Sequence, residues 1–247
     1  MTLLCTAAGL FSIPAFAVDG LKLIDQAAVV AAGGFPYIIS EPGSYQLSSN
    51  LTVTASALSG VDITSSNVTL DLNGFSIRCS GTLTIAGVET TSLTEAVYNN
   101  IRVKNGTVSG CGNGVLLFFG ANVDVESLLV SGYGTSVSGG RLIYGIAASS
   151  GTIRNNNLSS SGNSGGIYLG SGVVSSNNLS GDEIGITIDG QAVVTGNSVS
   201  ASSTALLRAT SATADPLVGT NIFNAPTAFA ATTVLSQHNN FCNNISC

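Results

Sequence analysis

The stretch "GGIYLGSGVVSSNNLSGDEIGITIDGQAVVTGNSVS", residues 165–200, contains nearly the same phrase twice. Each copy has a Gly-Ile start, a Val-Val pair, an Asn, and then an aliphatic residue followed by Ser. Within a copy, short runs alternate apolar and polar side chains and end at Gly, Asn or Ser, which is the pattern of short β-strands. The stretch therefore predicts a repeat of strands and not of helices.

The phrase recurs along most of the chain. Its small-plus-aliphatic start occurs eight times, with spacings of 27, 27, 31, 21, 19, 20 and 23 residues. The starts are Gly60-Val61, Gly87-Val88, Gly114-Val115, Gly145-Ile146, Gly166-Ile167, Gly185-Ile186, Ala205-Leu206 and Ala228-Phe229. A unit of two or three short strands cannot bury its inner face alone, so successive units must stack with strands about 4.8 Å apart. The sequence predicts an all-β fold, a parallel β-helix that forms a single-stranded solenoid of about eight turns.

Two kinds of residue keep constant offsets within the repeat. Four asparagines, Asn156, Asn177, Asn197 and Asn221, fall on one line of the predicted stack, at a corner of the chain. Asn tolerates left-handed backbone angles, and its amide can bond to the equivalent amide on the next turn. We interpret this line as a structural ladder and not as a ligand site. The aliphatic and aromatic residues at constant offsets are predicted to stack inward as core: Ile146, Ile167, Ile186, Leu206, Leu158, Leu179, Val199 and Phe223.

The composition limits the classes of partner. Of 247 residues only 8% are charged, the net charge is -6, and the seven Lys and Arg are scattered along the chain. Because no basic patch is available to neutralise phosphates, nucleic acid is not expected as a partner. So few charges also favour a neutral polar surface over long exposed helices.

The chain divides into three predicted parts. Residues 1–17 are apolar and end in Ala-Phe-Ala, a small-x-small pattern that predicts a signal peptide, with a buried N-terminal segment as the alternative. Residues 18–34 are predicted to form an N-terminal cap, with a short helix that begins near Asp25 and ends at Gly33-Gly34. Residues 35–247 are the predicted β-helix domain. No later run is long and apolar enough for a transmembrane segment, which needs about 18 residues.

The cysteines suggest disulfides. Loss of the leader would remove Cys5 and leave four cysteines, an even number that is typical of exported chains. Cys79 and Cys111 each lie five residues after the Gly of an Asn-Gly pair, which places them at one corner on adjacent turns. That spacing lies within the Cα separation of a disulfide, so we predict this pair. Cys242 and Cys247 would then close a small loop at the C-terminal turn.

Three segments resemble a known superfamily: "ISEPGSYQLSSNLTV" (39–53), "VDITSSNVTLDLNGFSIRCSG" (61–81) and "NIRVKNGTVSGCGNGV" (100–115). They are similar to the opening of bacterial exported right-handed parallel β-helix repeat proteins of the pectate-lyase-like superfamily, and the resemblance covers roughly residues 35–247. It implies a right-handed winding and a secreted, periplasmic or cell-surface location. It implies less about activity, because this fold hosts lyases, hydrolases, epimerases and proteins without catalysis.

Enzymes of that superfamily act mostly on acidic polysaccharides, with Ca²⁺ and a basic residue or with paired carboxylates. In this chain the position two residues after each repeat start is acidic only at Asp62 and Glu89. A second acidic group, Asp182, Glu183 and Asp189, is a weak candidate for Ca²⁺, with a solvated corner as the ordinary alternative. No cofactor is required by the sequence, and no complete catalytic motif is present.

Charged residues form one further pattern. If the repeat register holds, Asp71, Lys104, Glu126 and Arg154 point outward on four successive turns with alternating sign, which predicts a salt-bridge ladder. As an alternative, Arg102, Lys104 and Arg154 are candidate ligand-binding residues for sugar carboxylates. The neighbouring acids argue against that alternative, because they would compete for the same cations.

Together these observations predict an exported, surface-associated β-helix protein that binds polysaccharide or another envelope component. The first alternative is a polysaccharide lyase or epimerase for uronate polymers, with Arg102, Lys104 or Arg154 as base or charge neutraliser. The second alternative is a structural or adhesive solenoid. The oligomeric state is left open.

Overall fold

Short strands make up nearly all of the regular structure. The computed structural model describes residues 20–54, 58–80, 85–91, 96–134, 143–160, 164–209, 215–230, 235–236, 240–243 and 245–246. Strands β1 to β13 are Leu21–Ile24, Tyr37–Ile39, Gly43–Leu47, Leu51–Val53, Val61–Ile63, Val68–Asp71, Ser76–Cys79, Ala86–Glu89, Tyr98–Asn99, Ile101–Ser109, Asn113–Leu117, Gly120–Ala121 and Val123–Tyr133. Strands β14 to β25 are Tyr144–Arg154, Asn157–Ser160, Gly165–Ser175, Asn178–Ile188, Ala192–Thr195, Ser198–Arg208, Leu217–Gly219, Ile222–Asn224, Thr227–Ala230, Leu235–Ser236, Phe241–Cys242 and Ile245–Ser246.

Most strands pair in parallel with their counterparts one turn before and one turn after, and these pairings form three faces. β9 and β12 form a separate two-stranded sheet, and β24 and β25 pair antiparallel. Face 1 contains β1, β3, β6, the first halves of β10 and β13, the second halves of β14 and β16, then β18, β20 and β23. Face 2 contains β4, β7, the second halves of β10 and β13, β15, the first halves of β17 and β19, then β21 and β24. Face 3 contains β2, β5, β8, β11, the first halves of β14 and β16, the second halves of β17 and β19, then β22. The predicted all-β fold, a parallel β-solenoid of about 8 turns, is confirmed.

The interior consists of stacked aliphatic columns. On face 1, Leu70, Val103, Val125 and Ile153 are register partners on successive turns, and all four are fully buried. The residues predicted as core on the other two faces are also buried. Since each turn places an aliphatic side chain directly over the previous one, every turn buries apolar surface that it could not bury alone.

The N-terminal segment contains a helix, Gln26–Ala31 (α1), which is shorter than the predicted cap segment. Asp25 caps it, because its side chain accepts a hydrogen bond from the Ala28 N–H at 2.7 Å. Val29 is its one fully buried residue and joins the core. That this helix closes the end of the solenoid stays a prediction, and residues 1–17 lie outside the described residues. Among the described residues no helix is long and apolar enough to cross a membrane.

A disulfide joins two adjacent turns. Cys79 and Cys111 are bonded, with their Cα atoms 4.9 Å apart, so the predicted pair is confirmed. Both are almost completely buried at one corner of the solenoid. Cys242 is also disulfide-bonded, and Cys247, its predicted partner, lies outside the described residues.

Candidate functional site

The outward charges of face 1 lie on successive turns, as the repeat register predicted. Asp71 is the register partner of Lys104, Lys104 of Glu126, and Glu126 of Arg154. The ion pairs nevertheless do not run evenly along this line. Lys104 Nζ lies 3.0 Å from Asp71 Oδ2, and Arg154 Nη1 lies 2.6 Å from Glu126 Oε2. The line is therefore divided into a separate Asp71–Lys104 pair and a larger group around Glu126.

That larger group, the ion network, consists of Arg102, Asp124, Glu126 and Arg154. Arg102 contacts Asp124 at 3.2 Å and also pairs with Glu126, while Arg154 contacts Asp124 at 3.1 Å and Glu126. Sequence reasoning missed Asp124, although it points outward two residues before Glu126 and lies directly opposite Arg102. All three cations proposed to bind sugar carboxylates are thus already engaged by carboxylates of this chain. An anionic sugar would have to displace them.

The three acids proposed for calcium do not come together. Asp182 is fully buried, whereas Asp189 Oδ2 accepts a hydrogen bond from the Tyr168 hydroxyl at 2.8 Å on face 3. Glu183, beside Asp182, uses its backbone N–H to donate to the Ser164 carbonyl at 2.9 Å. Across the described ranges no three His, Cys, Asp or Glu side chains form a group that could hold a metal ion. The alternative of a solvated corner also fails for Asp182, because this side chain is closed to solvent.

Asp182 instead belongs to a buried polar group, the junction cluster, which also contains Tyr133, Ser160 and Ser164. Asp182 Oδ1 accepts hydrogen bonds from the Tyr133 hydroxyl at 2.8 Å and the Ser164 hydroxyl at 3.1 Å. The hydroxyl oxygens of Ser160 and Ser164 lie 2.6 Å apart. Tyr133 ends β13 and Asp182 lies in β17, so the cluster joins turns that are not neighbours.

Burial dominates the electrostatics of the junction cluster. It raises the pKa of Asp182 to about 7, although the hydrogen bonds from Tyr133 and Ser164 act in the opposite direction. Burial, together with the neighbouring Asp182, also raises the pKa of the Tyr133 hydroxyl. Asp182 Oδ2 makes no hydrogen bond to the described residues. A buried carboxyl in this setting favours its neutral form below neutral pH.

The predicted asparagines form a continuous buried chain of amides, the amide ladder, to which Asn240 adds a fifth member. Each Nδ2 donates to the Oδ1 of the next asparagine, at 3.0, 3.0, 2.9 and 3.1 Å along the chain from Asn156 to Asn240. The Oδ1 atoms of Asn177, Asn197, Asn221 and Asn240 also accept from the backbone N–H of the asparagine one turn earlier. The amides satisfy each other and the backbone at the corner, so they have no group directed at a ligand.

The backbone of the ladder differs from the prediction at one point. The left-handed conformation belongs not to the four predicted asparagines but to the residue before each of these four: Asn155, Ser176, Gly196 and Thr220, with φ of 57°, 56°, 66° and 57°. The ladder ends at Leu128, whose backbone N–H donates to Asn156 Oδ1 at 3.0 Å. One turn earlier the same position is Gly106, where a Cβ would lie 2.3 Å from Leu72 Cβ. A side chain at that position would collide with Leu72, so the ladder cannot extend there.

The outward position on face 3 begins with two acids. Asp62 and Glu89 are register partners on adjacent turns, and both are buried. Asp62 accepts hydrogen bonds from the Thr91 backbone N–H and hydroxyl, and the Glu89 carboxylate accepts one from the Ser59 hydroxyl. Burial raises the pKa of both carboxyls, and Asp62 raises that of Glu89 further. Because both side chains are closed to solvent, we do not assign them to a ligand site.

Farther along face 3 lies a group of rings, the aromatic cluster, formed by Phe118, Tyr144, Tyr168 and Asp189. The Tyr168 ring centroid lies 5.4 Å from that of Phe118 and 5.4 Å from that of Tyr144. Phe118 is 41% exposed, which is high for a ring of this size. Burial, followed by the hydrogen bond to Asp189, raises the pKa of Tyr168 to about 12, so its hydroxyl stays a donor at ordinary pH.

The four members of the aromatic cluster come from successive turns, after β11, in β14, in β16 and after β17. Phe118 presents an exposed ring, Tyr168 is half-buried and Tyr144 is buried beneath them. The cluster thus combines an apolar ring face with a fixed hydroxyl and a carboxylate, which are the kinds of group that ligand sites use. Sequence reasoning compared the outward positions of face 3 only for acids and so did not identify these rings. The alternating signal for Tyr168 was present in "GIYLG".

Comparison with known proteins finds no relative: no family model, curated protein or solved structure matches this chain. The structure supports the resemblance to pectate-lyase-like sequences at the level of a parallel β-solenoid.

Proposed function

We propose that the protein is an exported, surface-associated β-solenoid that binds polysaccharide without catalysis, and that the aromatic cluster contacts the sugar. The observation that carries this proposal is the exposed ring of Phe118 packed edge-on against Tyr168, whose hydroxyl is fixed by Asp189. Sugar rings have apolar C–H faces and polar edges, which match an aromatic plane next to a carboxylate. Successive turns repeat at about 4.8 Å, so the cluster can follow a chain along the solenoid axis.

Two features support export. The predicted leader at residues 1–17 has the cleavage pattern of a signal peptide. The Cys79–Cys111 disulfide is typical of proteins that fold in oxidising compartments. The likeness to exported bacterial β-helix repeat proteins agrees with both features.

No observation favours the lyase or epimerase alternative. Its proposed bases, Arg102, Lys104 and Arg154, are all engaged in ion pairs with acids of neighbouring strands. We therefore expect no unsaturated product when the protein is incubated with uronate polymers, with or without Ca²⁺. We also expect sugar binding to persist in the presence of a chelator.

The test is binding of the purified protein to soluble neutral and acidic oligosaccharides, measured by calorimetry. Phe118→Ala should weaken binding by about tenfold, since it removes the exposed ring that a sugar would cover. The matched control is Phe241→Ala, which removes another exposed ring, 54% exposed, at the end of face 2. Equal losses in the two variants, or no loss in Phe118→Ala, would contradict the assignment.

A further inference from the structure

The junction cluster and the aromatic cluster lie on opposite sides of one short segment, Ser164 to Gly166. On one side, the Ser164 hydroxyl donates to Asp182 Oδ1, and Asp182 Oδ2 faces Gly166, where a Cβ would lie 2.9 Å from it. On the other side, the Tyr144 ring crosses Gly165, where a Cβ would lie 2.3 Å from the ring. The segment therefore contacts a buried carboxyl and the aromatic cluster at the same time.

The segment is also held by its backbone. The Ser164 carbonyl accepts from the N–H groups of Glu183 and Ile184, at 2.9 and 3.3 Å, so it moves with the chain that carries Asp182. The Gly165 N–H donates to the Ile143 carbonyl at 2.7 Å, next to Tyr144. Asp182 and the Tyr144 ring are thus connected through two consecutive residues, Ser164 and Gly165.

We propose that Asp182 is a positioning residue of the aromatic cluster, which it holds in place through the segment 164–166 only while its carboxyl is protonated. This inference rests on the proposed function and adds its regulation by pH. When the proton leaves, a negative charge is created in a site closed to solvent, with one oxygen that has no hydrogen-bond partner among the described residues. Such a charge requires water or a polar group to approach it, which the packed segment cannot supply without moving.

Few other groups can produce the same pH dependence. From β13 the only titratable side chain facing Asp182 is Tyr133, whose raised pKa keeps it protonated. From the segment before β16 the facing groups are hydroxyls, Ser160 and Ser164. On β17 itself Glu183 is next to Asp182, and Glu183→Gln is the control variant for Asp182→Asn. Within the described residues the titration of this region is therefore that of Asp182.

The binding test measures affinity for the soluble oligosaccharide that the parent protein binds best, from about pH 5 to about pH 8.5. We expect affinity to fall as pH rises, by about tenfold if sugar binding raises the pKa of Asp182 by one unit. Asp182→Asn should give the same affinity at both ends of this range, and Glu183→Gln should keep the parent's pH dependence. Tyr133→Phe removes a hydrogen bond that lowers the pKa of Asp182, so it should move the midpoint to higher pH.

A second readout does not require sugar. Hydrogen exchange of the Gly165 amide, corrected for the intrinsic effect of pH, should increase as pH rises in the parent and in Glu183→Gln but not in Asp182→Asn. If the parent binds no sugar, the proposed function fails, and this exchange profile still supports or overturns the positioning role. If Asp182→Asn keeps the parent's profile in either measurement, Asp182 is only structural and the inference is wrong.

Discussion

The first and second halves of the solenoid hold their turns together by different means. In the first half the repeat starts are 27, 27 and 31 residues apart, and the Cys79–Cys111 disulfide and the ion network connect adjacent turns. In the second half the starts are 21, 19, 20 and 23 residues apart, and the amide ladder connects adjacent turns. A ladder needs the same corner on every turn, since each amide must meet the next. Near-constant repeat length and internal amides therefore occur together.

The two halves meet at the junction cluster. Tyr133 is the last residue of β13, and its hydroxyl reaches Asp182 in β17, 49 residues later in the chain. The amide ladder ends at Leu128, which lies in the same strand as Tyr133, β13. The transition between the two modes of stabilisation is thus marked by a buried titratable group.

The largest effect is expected for the middle of the amide ladder. Asn177→Ala removes four hydrogen bonds and leaves the Asn156 N–H and the Ile153 carbonyl without these partners in the interior. The free energy of unfolding should fall by about 5 kcal/mol, because each orphaned buried group costs about 1–3 kcal/mol. Urea denaturation measures this change.

The control for that variant is the adjacent residue. Asn178 is exposed, and its amide makes only a long 3.5 Å contact with Asn157. Asn178→Ala should therefore change the free energy of unfolding by less than about 0.5 kcal/mol. Similar losses of stability in the variants at positions 177 and 178 would mean that the buried amides contribute no more than an exposed one. The amide ladder would then not be what stabilises the second half.

The next effect concerns the junction. The pKa of Asp182 is about 7 in the folded protein and 3.8 ordinarily. Between these values the folded state keeps a proton that the unfolded state releases, so stability is full below about pH 4 and falls until about pH 7. By the standard conversion the loss is on the order of 4 kcal/mol. Asp182→Asn should remove this fall in the free energy of unfolding, because its side chain carries no titratable proton.

The measurement is the difference in free energy of unfolding between Asp182→Asn and the parent at several pH values. This difference should increase in favour of the variant from about pH 4 to about pH 7 and then stay constant. The same difference for Glu183→Gln should show no such increase. A flat difference for Asp182→Asn would mean that Asp182 ionises normally in the folded protein.

The sequence predicts the features that recur at constant offsets, and it does not predict those that occur once. The ladder positions and the register of Asp71, Lys104, Glu126 and Arg154 follow from constant offsets, because stacking requires them. The left-handed corner residues could not be read in the same way, since Asn, Ser, Gly and Thr all occupy that position. Asp124 is the register partner of Arg102, but it lies outside the line of Asp71, Lys104, Glu126 and Arg154 and was missed for that reason.

The junction cluster and Phe118 gave no periodic signal, whereas Tyr168 of the aromatic cluster lies in the alternating pattern of "GIYLG". Tyr133, Ser164 and Asp182 lie at corners whose lengths differ from turn to turn, so no offset relates them. Phe118 follows β11 at a turn, whereas β14 and β16 continue as strands through the corresponding position. Contacts of this kind depend on how irregular corners fold over the regular core, and they require the three-dimensional structure.

The disulfide is expected to contribute less than the ladder. Replacing Cys79 and Cys111 together by Ala frees a loop with a sequence separation of 32 residues. The entropy of that loop in the unfolded chain predicts a loss of about 3.7 kcal/mol. Thermal unfolding of the double variant measures it, with the parent under reducing conditions as the comparison. A loss larger than that of Asn177→Ala would reverse the order of the two halves.

The smallest effect is expected for the separate ion pair of face 1. Hydrogen bonds from Lys104 and from the Asn73 N–H outweigh the partial burial of Asp71 and hold its pKa below the ordinary value. Its contribution is therefore present above the ordinary pKa and lost as pH falls, the opposite of Asp182. A double-mutant cycle with Asp71→Asn and Lys104→Met should give a coupling of about 1 kcal/mol or less, reduced by salt. A coupling above that of a surface pair would show that charge, and not only the disulfide, sets the register of the longer turns.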